Sequence, residues 1–174
     1  QATGVVDEVM VINNNAAAGT SEEVANTGAV EIHERRQGYG NAIRRGLSES
    51  ACDYLIICEP DATFLATDVY KLLAYAGDFD IVYGSRTSQQ LIWHGANMGL
   101  FLRWGNWAVA KYMEFLYNAT SLTDVGCTYR LLRREVARAL LPEFRVGGSE
   151  FGPEMMITSL RAGYRVIQVP MNYL

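Results

Sequence analysis

The run Leu55-Ile56-Ile57-Cys58 breaks off abruptly at Glu59-Pro60-Asp61. Apolar residues in succession, with no polar alternation, predict a strand buried on both faces, as in a parallel sheet covered by helices. Two carboxylates just past the C-terminal end of such a strand cost desolvation unless something positive lies nearby. In an open α/β sheet that edge is where ligands bind. Hard oxygen donors of this kind suit Mg²⁺ or Mn²⁺ carrying a phosphorylated ligand. Alone, the same residues also fit a plain solvated corner.

The rest of the chain repeats the strand-then-helix rhythm. Val9–Ile12, Ala29–His33, Tyr54–Cys58, Asp80–Gly84, Cys127–Leu132 and Arg165–Val169 read as strands. Helices are expected from about Thr20, over Gly38–Ser48 with Ile43 and Leu47 on one face, and over Thr67–Tyr75, Arg134–Leu141 and Gly152–Ala162. A long apolar, aromatic helix is expected over Ala96–Tyr117, with Arg103 and Lys111 as its cations. Strands alternating with helices through short connections predict a mainly parallel sheet flanked by helices.

The 174 residues suffice for one domain with a real core, and no repeat, linker or low-complexity segment divides them. A net charge of −4 argues against a general nucleic-acid binder. No apolar run reaches membrane-spanning length, and the first residues lack a signal-peptide pattern. The three cysteines, Cys52, Cys58 and Cys127, have no metal-type spacing and read as reduced thiols, which points to a cytoplasmic location.

Taken in order, six stretches make a recognisable set: Asn13–Thr20, Gly38-Tyr39-Gly40-Asn41-Ala42, Glu59-Pro60-Asp61, Gly84-Ser85-Arg86, Thr123–Arg130 and Phe151–Met155. Over nearly its whole length the chain resembles the family 2 glycosyltransferases of GT-A fold, and within them the polyprenyl-phosphate branch typified by dolichyl-phosphate mannosyltransferase. The resemblance implies a Rossmann-like α/β domain and inverting transfer of a sugar from a nucleotide-diphosphate sugar to a polyprenyl phosphate. It implies a site at the cytoplasmic face of a membrane, with peripheral contact there. Set against the family, the chain lacks a first βα unit and stops before an acceptor-proximal segment. It is therefore expected to be a single domain truncated at both ends.

The resemblance also assigns roles. Asp61, with Glu59, would hold Mg²⁺ or Mn²⁺ bridging the donor diphosphate, and Glu59 could instead contact nucleotide or sugar. Asn13, Asn14, Gly38, Tyr39 and Gly40 would line the donor site. The glycines there suit backbone N–H groups approaching a phosphate, or simply a strand-to-helix turn. Asn13 and Asn14 stand where the family has acids, so they bring hydrogen bonds without charge.

Arg86, Arg103, Arg130 and Glu154 would serve the acceptor. Guanidinium groups bind phosphate by charge-assisted, often bidentate bonds. Arg130 equally suits an ion pair with Asp124, Arg103 a snorkelling surface cation, and Glu154 an acid at a helix start. Asp124 is the candidate catalytic carboxylate, as base or as a group that orients others; capping a turn is its structural alternative. Cys127 reads as a structural thiol. The aromatic stretch Leu91–Tyr117 reads as core, acceptor groove or membrane-facing surface. A non-catalytic domain binding nucleotide sugar or a partner is the competing function.

Overall fold

The computed structural model describes residues 4–88, 91, 100–119 and 121–174, with the backbone alone for 100–103. Among these residues six strands and six helices follow the expected rhythm. They are β1 (Met10–Asn13), α1 (Thr20–Ala25), β2 (Val30–His33), α2 (Tyr39–Glu49), β3 (Tyr54–Ile57), α3 (Val69–Tyr75), β4 (Ile81–Ser85), α4 (Leu100–Tyr117), β5 (Arg130–Arg133), α5 (Arg134–Leu140), α6 (Phe151–Arg161) and β6 (Val166–Pro170). The expected start of the aromatic helix at Ala96 lies outside the described residues.

β1 and β2 form a parallel pair, and the other four strands form a sheet in the order β3-β5-β4-β6. β4 and β6 pair in parallel, while β5 is antiparallel to both of its neighbours. The α/β sheet is thus mainly parallel in strand direction, with β5 as the reversed member. The reversal follows from a contact between segments distant in sequence. The segment leading into β5 is fastened at the C-terminal end of β4, where the Asp124 carboxylate accepts from the Arg86 backbone. A chain that re-enters the sheet at the end where β4 left it must run back the other way.

The strand period of two sorts the core onto both faces of the sheet. Ile81, Tyr83 and Leu132 face one way, into a cluster completed by Leu47 of α2, Met113 of α4, Leu140 of α5 and Phe151 and Met155 of α6. Val82 and Leu131 face the other way, with Leu72 of α3, Cys127, Val169 and Met171. Asp68, ahead of α3, is buried and fixes the far end of the chain: it accepts from Asn172 N at 2.6 Å and from Asn172 Nδ2 at 2.8 Å, and pairs with Lys71 at 3.0 Å. Tyr173 is thereby set where the Arg86 guanidinium lies 5.6 Å above its ring.

Candidate active site

The C-terminal end of the sheet gathers three loops. One carries Glu59 and Asp61 beyond β3. The second carries Arg86, directly after β4. The third is the 122–129 segment that feeds β5.

Asp124 and Arg86 form the centre of this end. Asp124 is 1% exposed, and four donors converge on its carboxylate. Oδ2 accepts from Arg86 N at 3.0 Å and Arg86 Nε at 2.9 Å; Oδ1 accepts from Arg86 Nη2 at 3.0 Å and Gly126 N at 2.9 Å. Burial alone would raise the carboxyl, but the bonds and charge of Arg86 hold it below the usual carboxylate range. The same pairing outweighs burial at Arg86 and keeps its guanidinium charged. A carboxylate this committed is a poor proton acceptor and a good anchor. Arg86 retains N–H groups not directed at Asp124, so the pair holds a cation in a fixed place.

Glu59 and Asp61 sit on the neighbouring loop. Glu59 is half-buried, and burial followed by the Asp61 charge raises its carboxyl above the ordinary value. It is met by Thr128, whose hydroxyl donates to Oε2 at 3.4 Å. Asp61 is exposed; its Oδ1 accepts from Thr63 N at 3.1 Å and Thr63 Oγ1 at 2.6 Å, which shapes the turn. Ala62 between them takes φ 59°, a left-handed conformation uncommon for a residue with a side chain. The Asp61 charge that raises the Glu59 carboxyl would be offset by a cation, so the residues present fit a divalent ion completed by phosphate oxygens and water. Among the described residues no group of three or more His, Cys, Asp or Glu forms a protein-only cage.

The raised Glu59 has a testable sign. Its charge is disfavoured in the fold, so its contribution is favourable below the unfolded carboxyl value and is lost as pH rises through the folded one. Glu59→Gln is therefore expected to raise the melting temperature at pH 7, with the gain vanishing near pH 4, where Glu59 binds a proton anyway. Melting curves at the two pH values check this; a lower melting temperature at pH 7 contradicts it.

Several residues expected to touch ligands make their hydrogen bonds within the protein itself. Arg130 is 2% exposed, and among the described residues it pairs with no carboxylate, Asp124 being paired with Arg86. It donates to the carbonyls of Cys127 at 2.8 Å, Gly152 at 3.0 Å and Val125 at 3.2 Å, under the Tyr83 ring at 5.1 Å. It therefore ties the 122–129 segment to α6. Glu154 accepts from Arg145 N at 2.7 Å and Val146 N at 3.0 Å, holding the loop before α6.

That loop closes over the start of α2, where Gly40 N donates to Gly148 O and Asn41 N to Gly147 O, both at 3.2 Å. The glycines of Gly38-Tyr39-Gly40 are required for this approach. A Cβ on Gly38, at φ 134°, would lie 2.2 Å from Gly147 O, and one on Gly40 2.6 Å from Val146 O. The backbone they admit is the protein's own, and their N–H groups are not offered to a phosphate.

Asn14 accepts from Gly38 N at 2.8 Å and donates to the carbonyls of Glu34 and Arg36 at 2.8 Å each. Asn13 donates to Glu31 at 2.8 Å and accepts from Ala16 N at 3.0 Å. Both asparagines thus shape the loops at the ends of β1 and β2. Tyr39 packs, partly buried, against the core. Burial, with Glu59 and Cys127 nearby, raises its phenol, and Arg130 and Arg86 oppose this in part. Arg103 belongs to α4, and its side chain lies outside the described residues.

Gln168 of β6 was not expected. Its Oε1 accepts from Thr123 N at 2.6 Å and Asp124 N at 3.2 Å, and its Nε2 donates to Asp124 O. The available signal was a lone amide inside Val166-Ile167-Gln168-Val169. Thr128 and Tyr173 carried no comparable signal. Burial pushes the Cys127 thiol up to about 12, which fits the structural role expected for it.

An uncharacterized glycosyltransferase of Mycobacterium tuberculosis is 26% identical over 165 residues, covering 94% of this chain and 72% of that protein. An undecaprenyl-phosphate mannosyltransferase of Micrococcus luteus is 24% identical over 179 residues, covering 95% and 71%. Among solved structures, glucosyl-3-phosphoglycerate synthase from Mycobacterium tuberculosis with phosphoglyceric acid superposes with a TM-score of 0.70 at 16% identity. That match covers 96% of this chain, which spans 60% of the length of the synthase chain. The same synthase with Mn²⁺, UDP-glucose and phosphoglyceric acid gives 0.66 at 17% identity. These likenesses bear out the GT-A fold. The profile of Glycosyl transferase family 2 matches residues 1–141, most of the length, and the chain belongs to that family.

Proposed function

We propose that the chain is the core of an inverting glycosyltransferase that moves a sugar from a nucleotide-diphosphate donor to a polyprenyl phosphate. The observation that carries this reading is the Arg86–Asp124 pair: a cation held in place by a carboxylate whose oxygens are already occupied. Such a pair offers a fixed positive charge and a carboxylate that is not free to act as a base. It suits a nucleophile that is already ionised.

Glu59 and Asp61 would hold Mg²⁺ or Mn²⁺, which when bound neutralises charge on the departing diphosphate. Arg86 directs its remaining N–H groups to the acceptor phosphate, and Asp124 keeps that guanidinium in register. An acceptor phosphate oxygen forms the new bond to the anomeric carbon from the face opposite the diphosphate. The old carbon–oxygen bond breaks, its electron pair leaves with the nucleotide, and no proton is transferred. Tyr39, at the start of α2, would contact donor or sugar.

The lipid nature of the acceptor is supported by α4. Gly126 lies between Arg86 and Asn106 of this helix: a Cβ there would sit 2.9 Å from the guanidinium and 3.4 Å from the amide. Away from the core, α4 exposes Trp104 (69%), Tyr112 (63%) and Phe115 (83%), and its Lys111 is neutralised by Glu114 at 2.7 Å. Exposed aromatic residues on this helix suit the water–lipid boundary, where the head of an amphiphile would reach Arg86. Peripheral contact at the cytoplasmic face of a membrane belongs to the same proposal. Among the described residues no helix is long and apolar enough to cross a membrane. The relative named for undecaprenyl phosphate points the same way. The synthase bound to phosphoglyceric acid suggests a soluble anionic acceptor instead.

Parallel transfer assays with a short-chain polyprenyl phosphate and with phosphoglycerate, using the full chain and Mn²⁺, decide between them. Product on the lipid phosphate is expected, and Arg86→Ala should reduce acceptor use at least tenfold with donor affinity little changed. Product on phosphoglycerate alone contradicts the lipid assignment. Donor binding without transfer to either acceptor favours a non-catalytic binding domain.

A further inference from the structure

Where α4 passes the Arg86–Asp124 pair it carries a polar side chain that the fold leaves unused. One line of this helix packs inward, at the spacing of a buried helical stripe. Ala110 and Met113 on that line are buried, and Tyr117 packs against the core. Asn106, one turn before Ala110, opens the same line and is half-buried. Asparagine is a weaker helix former than alanine or leucine. Among the described residues no hydrogen bond meets its amide. A half-buried amide without a partner gives up part of its hydration and replaces none of it. Its polar neighbours differ. Ser85, Thr87 and Thr123 bond one another at 2.8 to 2.9 Å, and Gln168 binds the backbone of Thr123 and Asp124.

What the Asn106 amide adjoins is the guanidinium. A Cβ at Gly126 would lie 2.9 Å from Arg86 Nη2, 3.4 Å from Asn106 Nδ2 and 3.6 Å from Asn106 Oδ1. A larger residue there would press on a guanidinium that Asp124 already pins, so glycine keeps the two groups free of an intervening side chain. Nη2 gives one hydrogen to Asp124 Oδ1 and has a second to give. With no bond to fix its orientation, the amide can turn its NH₂ toward the same place. Both groups lie near one point, so two oxygens of a single phosphate can accept from both. Arg86 supplies the charge, and the neutral amide adds a directed donor beside it.

We propose that Asn106 is a specificity-determining residue of the acceptor site, its amide donating to an oxygen of the acceptor phosphate that Arg86 holds. The inference rests on the acceptor reading of Arg86 and adds the second group that reads the phosphate. It concerns the phosphate itself, which a polyprenyl phosphate and phosphoglycerate share.

The test titrates the full chain with a short-chain polyprenyl phosphate and, separately, with phosphoglycerate, in the wild type, Asn106→Ala and Asn106→Asp. NMR follows the Asn106 side-chain amide, and the melting temperature of each protein is recorded. In the wild type the amide protons are expected to move downfield on binding, and the compound that binds identifies the source of the phosphate. Asn106→Ala should weaken that compound about tenfold, the usual effect of losing a hydrogen bond to a charged group. Asn106→Asp should weaken it further, because a carboxylate then meets the anion. Asn106→Ala should melt no lower than the wild type, since no bond is lost and alanine favours the helix. The inference alone is overturned if the wild type binds a phosphate compound and Asn106→Ala binds it within about twofold. It is equally overturned if the amide protons do not move, or if Asn106→Ala melts more than about 3 °C lower, the mark of a structural asparagine. A wild type that binds neither compound overturns the acceptor reading, and this inference with it.

Discussion

Asp124→Ala is expected to lower the melting temperature by roughly 6–12 °C. The substitution removes the acceptor for four donors and leaves the Arg86 guanidinium without its partner. Breaking a buried pair from one side costs about 3–5 kcal/mol, and the lower end applies because the Arg86 side chain keeps 16% of its surface in water. At this chain length each kcal/mol corresponds to about 2–4 °C. The pH dependence follows from the lowered carboxyl. A carboxylate held below its unfolded value contributes stability that is present above that value and lost as pH falls through the folded one. The gap between wild type and Asp124→Ala should be constant near neutrality and close below about pH 4. A gap that persists in acid would mean that Asp124 acts through packing and not through charge. Asparagine is no conservative replacement here, because its NH₂ would face donors where a carboxylate oxygen now accepts.

Asp61→Ala is expected to abolish Mn²⁺-dependent stabilisation by nucleotide sugar while leaving the fold intact. Asp61 is exposed, and among the described residues its bonds reach only Thr63, two residues on. At a donor concentration a hundredfold above its dissociation constant, binding stabilises a protein by about 2.7 kcal/mol, or roughly 5–11 °C at this length. That shift should appear in the wild type with Mn²⁺, shrink without metal, and be missing from Asp61→Ala with or without metal. An undiminished metal-dependent shift in the variant would remove Asp61 from the metal site.

The parts of the fold visible in the sequence were those with a local cause. Leu55–Ile57 and Ile81–Tyr83 are continuous apolar runs, and they became the strands carrying Glu59 and Arg86 to one end of the sheet. The direction of β5 was not legible, because it depends on the fastening of Asp124 to Arg86 and Gln168, each far away along the chain. Gly38 and Gly40 announced a close approach, but nothing near them said that the approaching backbone is residues 146–148. Arg130 looked like a phosphate ligand for the same reason that it is a good clasp: its planar donors suit several oxygens at once, and only burial shows that those oxygens are carbonyls. Charge alone could not separate Arg86, which keeps donors free of Asp124, from Arg130, which is sealed in the core.

The central claim is that the site reads an ionised phosphate and removes no proton. The most direct measurement compares transfer by the full protein to a short-chain polyprenyl phosphate and to the polyprenol of the same length, under identical donor and Mn²⁺. The account predicts product from the phosphate and none above background from the alcohol. Glycosylation of the polyprenol at a comparable rate would contradict it, because that reaction needs a base that Asp124, with both oxygens engaged, does not supply.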